Sequence, residues 1–144
     1  MDHVAIMNPS WKLIQKIIAG KKTIESRWYQ TRRTPWNNVQ RNDRVFFKDA
    51  GKLVTATARI TDVHQFEVKN LDDVVRIVKK YGKDICLINP EPRTWERLPK
   101  YCILIHLKDP AAIKQPFAIN KKGFGAGAAW LTVKNINQLR PQSK

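Results

Sequence analysis

The sequence predicts an α+β fold: a barrel-like β-sheet with two or three flanking helices. Three observations lead there. Short extended segments outnumber helical ones, helical periodicity appears in two main stretches, and strands and helices do not alternate in the regular way of a parallel βαβ chain. The 144 residues, 42% of them apolar, match one domain with a single core. We read residues 1–144 as that domain, with a short disordered tail from about 141 to 144.

Taken in order, His3 to Met7 reads as a buried strand stopped by Pro9. Ser10 is the expected N-cap of a first helix. Trp11, Ile14, Ile17 and Ile18 fall on one face of it, and Gly20 suits a left-handed C′ position. Thr23 to Trp28 alternates as a strand, with Thr23, Glu25 and Arg27 on one face and Lys22, Ile24 and Ser26 on the other. Residues 30–42 are polar and aperiodic, a long loop of the kind that tends to be functional. Arg44 to Lys48 and Leu53 to Phe66 predict a hairpin with Gly51 in its turn. The regular alternation of Val54, Ala56, Ala58 and Ile60 marks one wet and one dry face. Asn70 is placed to cap a second helix, with Leu71, Val74, Val75 and Val78 as its apolar stripe and Gly82 as its end. An extended piece over 84–88, a rigid connector over 89–93 and a helical turn over 94–98 are expected next. Tyr101 to Leu107 predicts a central strand ended by Asp109-Pro110. Phe117 to Asn120 reads as weakly extended, and Trp130 to Val133 as a last strand.

Charge is the strongest compositional signal. Lys and Arg total 27 against 12 Asp and Glu, a formal net charge of +15. A soluble domain this basic usually meets polyanions. Residues 21–48 carry eight basic side chains and two acidic ones, and no acidic residue follows Asp109. Within this region Trp28, Tyr29 and Trp36 are interleaved with Arg27, Arg32 and Arg33. Aromatic rings and guanidinium planes stack on unpaired bases. No apolar run reaches the roughly 18 residues of a membrane span, and the first residues lack a signal-peptide pattern, so a cytoplasmic location is expected. Cys86 and Cys102 are expected as reduced packing residues. His3, His64 and His106 have no ligand spacing, so neither a metal nor another cofactor is expected.

The run Gly20-Lys21-Lys22-Thr23-Ile24-Glu25-Ser26-Arg27, after Met7-Asn8-Pro9-Ser10-Trp11 and a short amphipathic helix, resembles the ASCH domain family of the PUA-like superfamily. That family's signature is a helix ending in Gly-x-Lys, followed by a Glu-x-Arg strand. Gly20, Lys22, Glu25 and Arg27 stand in those positions. Asn42-Asp43 stands where the family often opens its next barrel strand with Gly-Asp. The resemblance covers about residues 4–66 and implies a PUA-like/ASCH β-pseudobarrel. Some ASCH-like proteins are amidohydrolases acting on a modified cytidine, which makes Lys22 a candidate base. Those enzymes place a threonine nucleophile where this chain has Glu25, and a carboxylate cannot replace an alkoxide in amide cleavage. Another ASCH branch cleaves RNA with lysine, tyrosine and serine groups, and Ser26 and Tyr29 lie nearby.

The expected function is therefore an RNA-binding domain, for single-stranded or structured RNA, with a basic cleft around the Gly-x-Lys-x-x-Glu-x-Arg motif. The expected nucleic-acid contacts are Lys21, Lys22, Arg27, Trp28, Arg32, Arg33, Trp36, Arg41, Lys48, Lys121 and Lys122. Lys121 and Lys122 precede the glycine-rich 123–127 segment, where backbone can approach a phosphate. The alternative is a metal-independent hydrolase acting on RNA or a modified nucleoside, with Lys22 as base and Glu25 and Tyr29 beside it. No helix combines helix-turn-helix spacing with a basic recognition face, which counts against a duplex-DNA binder.

Overall fold

Strand β1 (Asp2–Met7) lies between two strands distant in sequence, β3 (Arg44–Asp49) and β6 (Trp130–Val133). With β2 (Ile24–Tyr29), β4 (Val54–Glu67) and β5 (Tyr101–Phe117) they form one six-stranded sheet in the order β2-β5-β4-β3-β1-β6. The pair β1–β3 is parallel and the other pairs are antiparallel. The computed structural model describes residues 1–87, 97–125 and 127–141. The sheet curls into a half-barrel carrying helices α1 (Leu13–Ile18) and α2 (Leu71–Ile85), the α+β pseudobarrel expected from the sequence.

Alternation along each strand divides the apolar residues between two faces. The inward set includes Ala5, Met7, Val45, Phe47, Ala56, Ile60, Ile103, Ile105 and Trp130, closed at one end by Ile14 and Ile17 of α1. On the outer face of β2 and β5, Ile24, Cys102 and Leu104 pack under Val74, Ile77, Val78 and Ile85 of α2. The outer face of β1, β3 and β6 buries Val4, Phe46 and Leu131 beneath Ile136 and Leu139 of a C-terminal 3-10 turn. Full burial of one such aliphatic side chain contributes about 1.5–3 kcal/mol.

Several local expectations are corrected. Pro9 occupies the first position of a 3-10 turn (Pro9–Trp11), so the cap is Asn8, whose side chain accepts from the Ser10 amide. Ser10 Oγ donates to that same cap at 2.7 Å instead of capping the helix itself. Lys12 then takes a left-handed φ of 54°. The break shifts Trp11 out of phase with α1 and leaves it 62% exposed. Helix α2 runs through Gly82 to Ile85 and ends at a left-handed Cys86. A Cβ on Gly82 would lie 2.6 Å from the Leu87 carbonyl oxygen, so the glycine serves close packing and not termination. Leu71 and Val75 are exposed, because the buried stripe is centred on Val74, Ile77 and Val78. The expected extension at 84–85 is helical. The 89–93 connector, and 94–96 of the expected turn, lie outside the described residues.

Strand β5 does not stop at Asp109-Pro110. Between the pairs Arg59↔Lys108 and Thr57↔Ala111, β4 has one intervening residue and β5 has two. This is a bulge, with Asp109 at φ 51°. It absorbs the proline's missing donor and lets pairing continue to Phe117.

Candidate nucleic-acid interface

The motif forms a buried ionic triad. Lys22 and Thr23 precede β2, so strand alternation does not govern Lys22, and the turn folds it back onto Glu25. This corrects its placement on the opposite face. Lys22 Nζ donates to the carbonyls of Ile24 at 2.9 Å and Ile85 at 2.6 Å. It stands 3.4 Å from Glu25 Oε1. Ile85 ends α2, where carbonyls lack helical partners and attract a cation. Arg27, two residues along the same face of β2, reaches Glu25 Oε2 at 3.2 Å. Its guanidinium also donates to the carbonyls of Ala129 and Ile6 at 3.3 and 3.4 Å. It thereby ties one edge strand of the sheet to the segment at the opposite edge. Lys22 and Glu25 are 2% and 3% exposed.

Beside the triad is an open cavity of about 300 Å³ lined by Tyr29, Arg33, Thr34, Asn38, Phe124, Ala128, Ala129, Trp130 and Thr132. Arg27 lies 5.3 Å from the Trp130 ring centroid and Arg33 5.2 Å from that of Tyr29. Such cation–ring pairs hold aromatic faces in fixed orientations. The loop over 30–43 supplies one wall.

Trp130 and Thr132, alternate residues of β6, meet a buried network. His3 Nε2 lies 2.8 Å from Asp43 Oδ2. On the other side of the ring, Nδ1 is 2.9 Å from Thr132 Oγ1 and accepts from Trp130 Nε1 at 3.1 Å. An indole nitrogen only donates, so Nδ1 carries no proton and Nε2–H points at Asp43. The Thr132 hydroxyl then donates to Nδ1 as well, sharing that nitrogen's one lone pair with the indole N–H. Burial lowers the His3 pKa below 6.5, against the opposing pull of Asp43. Burial by itself would raise the Asp43 carboxyl, but hydrogen bonds from His3, the Gln40 amide and the N-terminal amine outweigh it and hold the pKa below 3.8.

A six-stranded sheet of this order, with a helix across its outer face and another at its end, can be compared with solved structures. An ASCH protein of Zymomonas mobilis, in a Tyr-to-Phe variant, superposes with a TM-score of 0.70 over 95% of this chain and 93% of its own, at 19% identity. Its Ser-to-Ala variant gives a TM-score of 0.68, over 95% and 91% at 21% identity. The unsubstituted protein gives 0.63 with the same coverage and identity. The fold is that of the ASCH domain. No protein-family model matches the sequence, and no curated protein matches it.

On this ASCH fold the expected contact residues separate. The cavity brings together Tyr29 and Arg33, while Lys22, Glu25 and Arg27 form the triad next to it. Trp28 points to the other face of β2, packs in the α2 layer and donates to Ser26 Oγ. Arg32 pairs with Glu67 at 2.7 Å and lies over Trp36 and Tyr101. Trp36 meets Tyr101 edge-on with centroids 5.0 Å apart. Arg41 donates to the Thr61 carbonyl. Lys21 and Lys122 are exposed. Lys121 donates to the Ala128 carbonyl and stands near Lys48, whose pKa is lowered by burial and then by Lys121's charge. Among the described residues, no group of three or more His, Cys, Asp or Glu is placed to hold a metal, and no helix is long and apolar enough to cross a membrane. Both cysteines are free thiols, and burial pushes the Cys102 pKa far up. Sequence reasoning missed Asn38, Phe124, Trp130 and Thr132 in the cavity, and the His3–Asp43 pair behind it.

Proposed function

We propose that this chain binds single-stranded or structured RNA and receives one nucleobase in the cavity between the 30–43 loop and β6. The observation that carries the reading is the cavity lining. Tyr29 presents a half-buried ring backed by Arg33, the buried Trp130 closes one wall, and Thr34, Asn38 and Thr132 supply polar edges. A volume of about 300 Å³ lies at the small end of ligand pockets, in keeping with one base and not a larger cofactor. Stacking on such rings contributes about 1–3 kcal/mol per base. The +15 charge supplies sequence-independent attraction to the phosphates. The depressed Lys48 beside Lys121 is a second place where an anion would relieve like-charge repulsion.

In this reading the triad supports the cavity and does not enter it. Lys22 directs its amine to two carbonyls and a carboxylate, and it does not line the cavity. That position supports a structural cation better than the general base of the hydrolase alternative. The test is fluorescence anisotropy with a short single-stranded RNA, the same-sequence DNA and the duplex, each at two salt concentrations. Preference for the RNA, with affinity falling steeply in salt and weakened by Tyr29→Ala, is the expected result. Equal weak binding to all three would overturn it.

A further inference from the structure

We propose that Thr132, His3 and Asp43 form an acyl-transfer centre opening on the cavity, with Thr132 as nucleophile, His3 as general base and Asp43 as the positioning residue. A hydroxyl becomes a competent nucleophile when a neighbouring base takes its proton and a third group orients that base. Both hydrogen bonds of such a relay are present, at 2.9 Å from His3 Nδ1 to Thr132 Oγ1 and 2.8 Å from His3 Nε2 to Asp43 Oδ2. The order of the ring nitrogens is the reverse of the familiar serine-protease relay, but the roles are the same.

Three features set this network apart from an ordinary buried hydrogen-bond cluster. Thr132 lines an open cavity and is only partly buried. His3 is fully buried and fixed in the tautomer whose Nδ1 accepts. Asp43 is itself held by the Gln40 amide and the N-terminal amine, so the carboxylate does not rotate away. Arg33 and Asn38 line the same cavity and offer donors to a developing oxyanion.

In the first step Thr132 Oγ bonds to the carbonyl carbon of an ester while its proton passes to His3 Nδ1, and the Trp130 indole N–H, which shares that lone pair at 3.1 Å, gives up its hydrogen bond as the proton arrives. The tetrahedral adduct collapses by breaking the bond from carbonyl carbon to the leaving oxygen, which takes the proton from His3. Water then attacks the acyl-threonine by the same route, releasing the carboxylic acid and restoring the hydroxyl. The substrate class is a carboxylic ester, whose alcohol leaves more readily than an amine. Where the cavity holds a nucleotide, the ester is one carried on a ribose hydroxyl. That identification rests on the RNA reading, whereas the chemistry does not.

The test therefore begins with p-nitrophenyl acetate, which contains no nucleotide. The full chain should release p-nitrophenol and carry one acetyl group on the peptide containing Thr132. Thr132→Val should lower the rate by about 10²-fold or more, His3→Gln by about 10²–10⁴-fold, and Thr132→Ser should keep turnover. Asp43→Asn should shift the pH–rate profile as well as lower the rate. Thr132→Val, at a half-buried position and nearly isosteric, is informative even if the buried His3 variant fails to fold. Equal rates for wild type and Thr132→Val, with acetyl found only on lysines, would overturn the proposal. A ribose-acylated RNA oligonucleotide is the second substrate. Its cleavage supports both readings, whereas cleavage of the phenyl ester alone upholds the centre and removes RNA as its substrate.

Discussion

Replacing Glu25 with glutamine tests the triad most directly. The carboxylate lies 3.4 Å from Lys22 Nζ and 3.2 Å from Arg27 Nη2, and is 3% exposed. At an effective dielectric constant near 20 each contact is worth about 5 kcal/mol of gross Coulomb energy. Most of that offsets the cost of taking three charges out of water, so the intact triad contributes little net stability. Removing only the anion is different, because it leaves the buried Lys22 and the largely buried Arg27 without their shared counter-charge. Breaking a buried pair in this way costs about 3–5 kcal/mol, here moderated by the four backbone carbonyls that Lys22 and Arg27 retain. Against a total stability of about 5–15 kcal/mol, Glu25→Gln should produce a large fall in the urea midpoint. The loss should change little with added salt, since buried charges are weakly screened. Glu67→Gln is the control, because its pair with Arg32 is 57% exposed on both sides and its midpoint should barely move. A Glu25→Gln loss below about 1 kcal/mol, or one that disappears in high salt, would refute the buried-triad argument.

Three further outcomes are expected. Gly82→Ala should destabilise the chain by about 1–3 kcal/mol in denaturant unfolding, although alanine favours helix by about 1 kcal/mol, because the added Cβ meets the Leu87 carbonyl oxygen at 2.6 Å and Val78 Cγ1 at 3.0 Å. Arg33→Ala should weaken binding of single-stranded RNA and reduce the slope of log affinity against log salt by about 0.7, whereas an unchanged slope would place the phosphate path elsewhere. Acid should destabilise the fold through His3. Its folded pKa lies below 6.5, so as pH falls through that value the unfolded chain takes up a proton that the folded chain refuses, and stability drops. His106, lowered by burial and then by His64, acts in the same direction, so urea midpoints at about pH 7.5 and 5.5 should differ less in His3→Gln than in wild type.

The readable parts of the fold were those where one local rule decides. The regular alternation of Val54 to Ile60 is the buried face of β4, and Asn70 caps α2 through the Asp73 amide. Gly20 takes the left-handed φ of 77° expected of a helix-ending glycine. Two expectations failed because tertiary packing overrides a local signal. Gly82 looks like a stop, but the Leu87 backbone crosses close enough to require glycine inside the helix. Pro110 looks like a strand end, but β4 continues alongside and a bulge lets β5 pass it.

The candidate site was less legible because register assembles it. The Glu25 and Arg27 half of the motif was readable, since both lie on one strand face. His3 gave no signal, as its partners are 40 and 129 residues away. They meet it only because β1 lies between β3 and β6. The parallel register pairs His3 with Val45 and so brings Asp43, two residues earlier, to one side of the ring. The antiparallel register pairs His3 with Thr132 on the other. A slip of one residue in either ladder would turn a partner to the opposite face, so the network constrains the pairing as much as the pairing creates the network. Thr132→Val should therefore leave the ladder intact while removing the hydroxyl, which makes it the cleanest variant for separating the chemistry at the cavity from the architecture behind it.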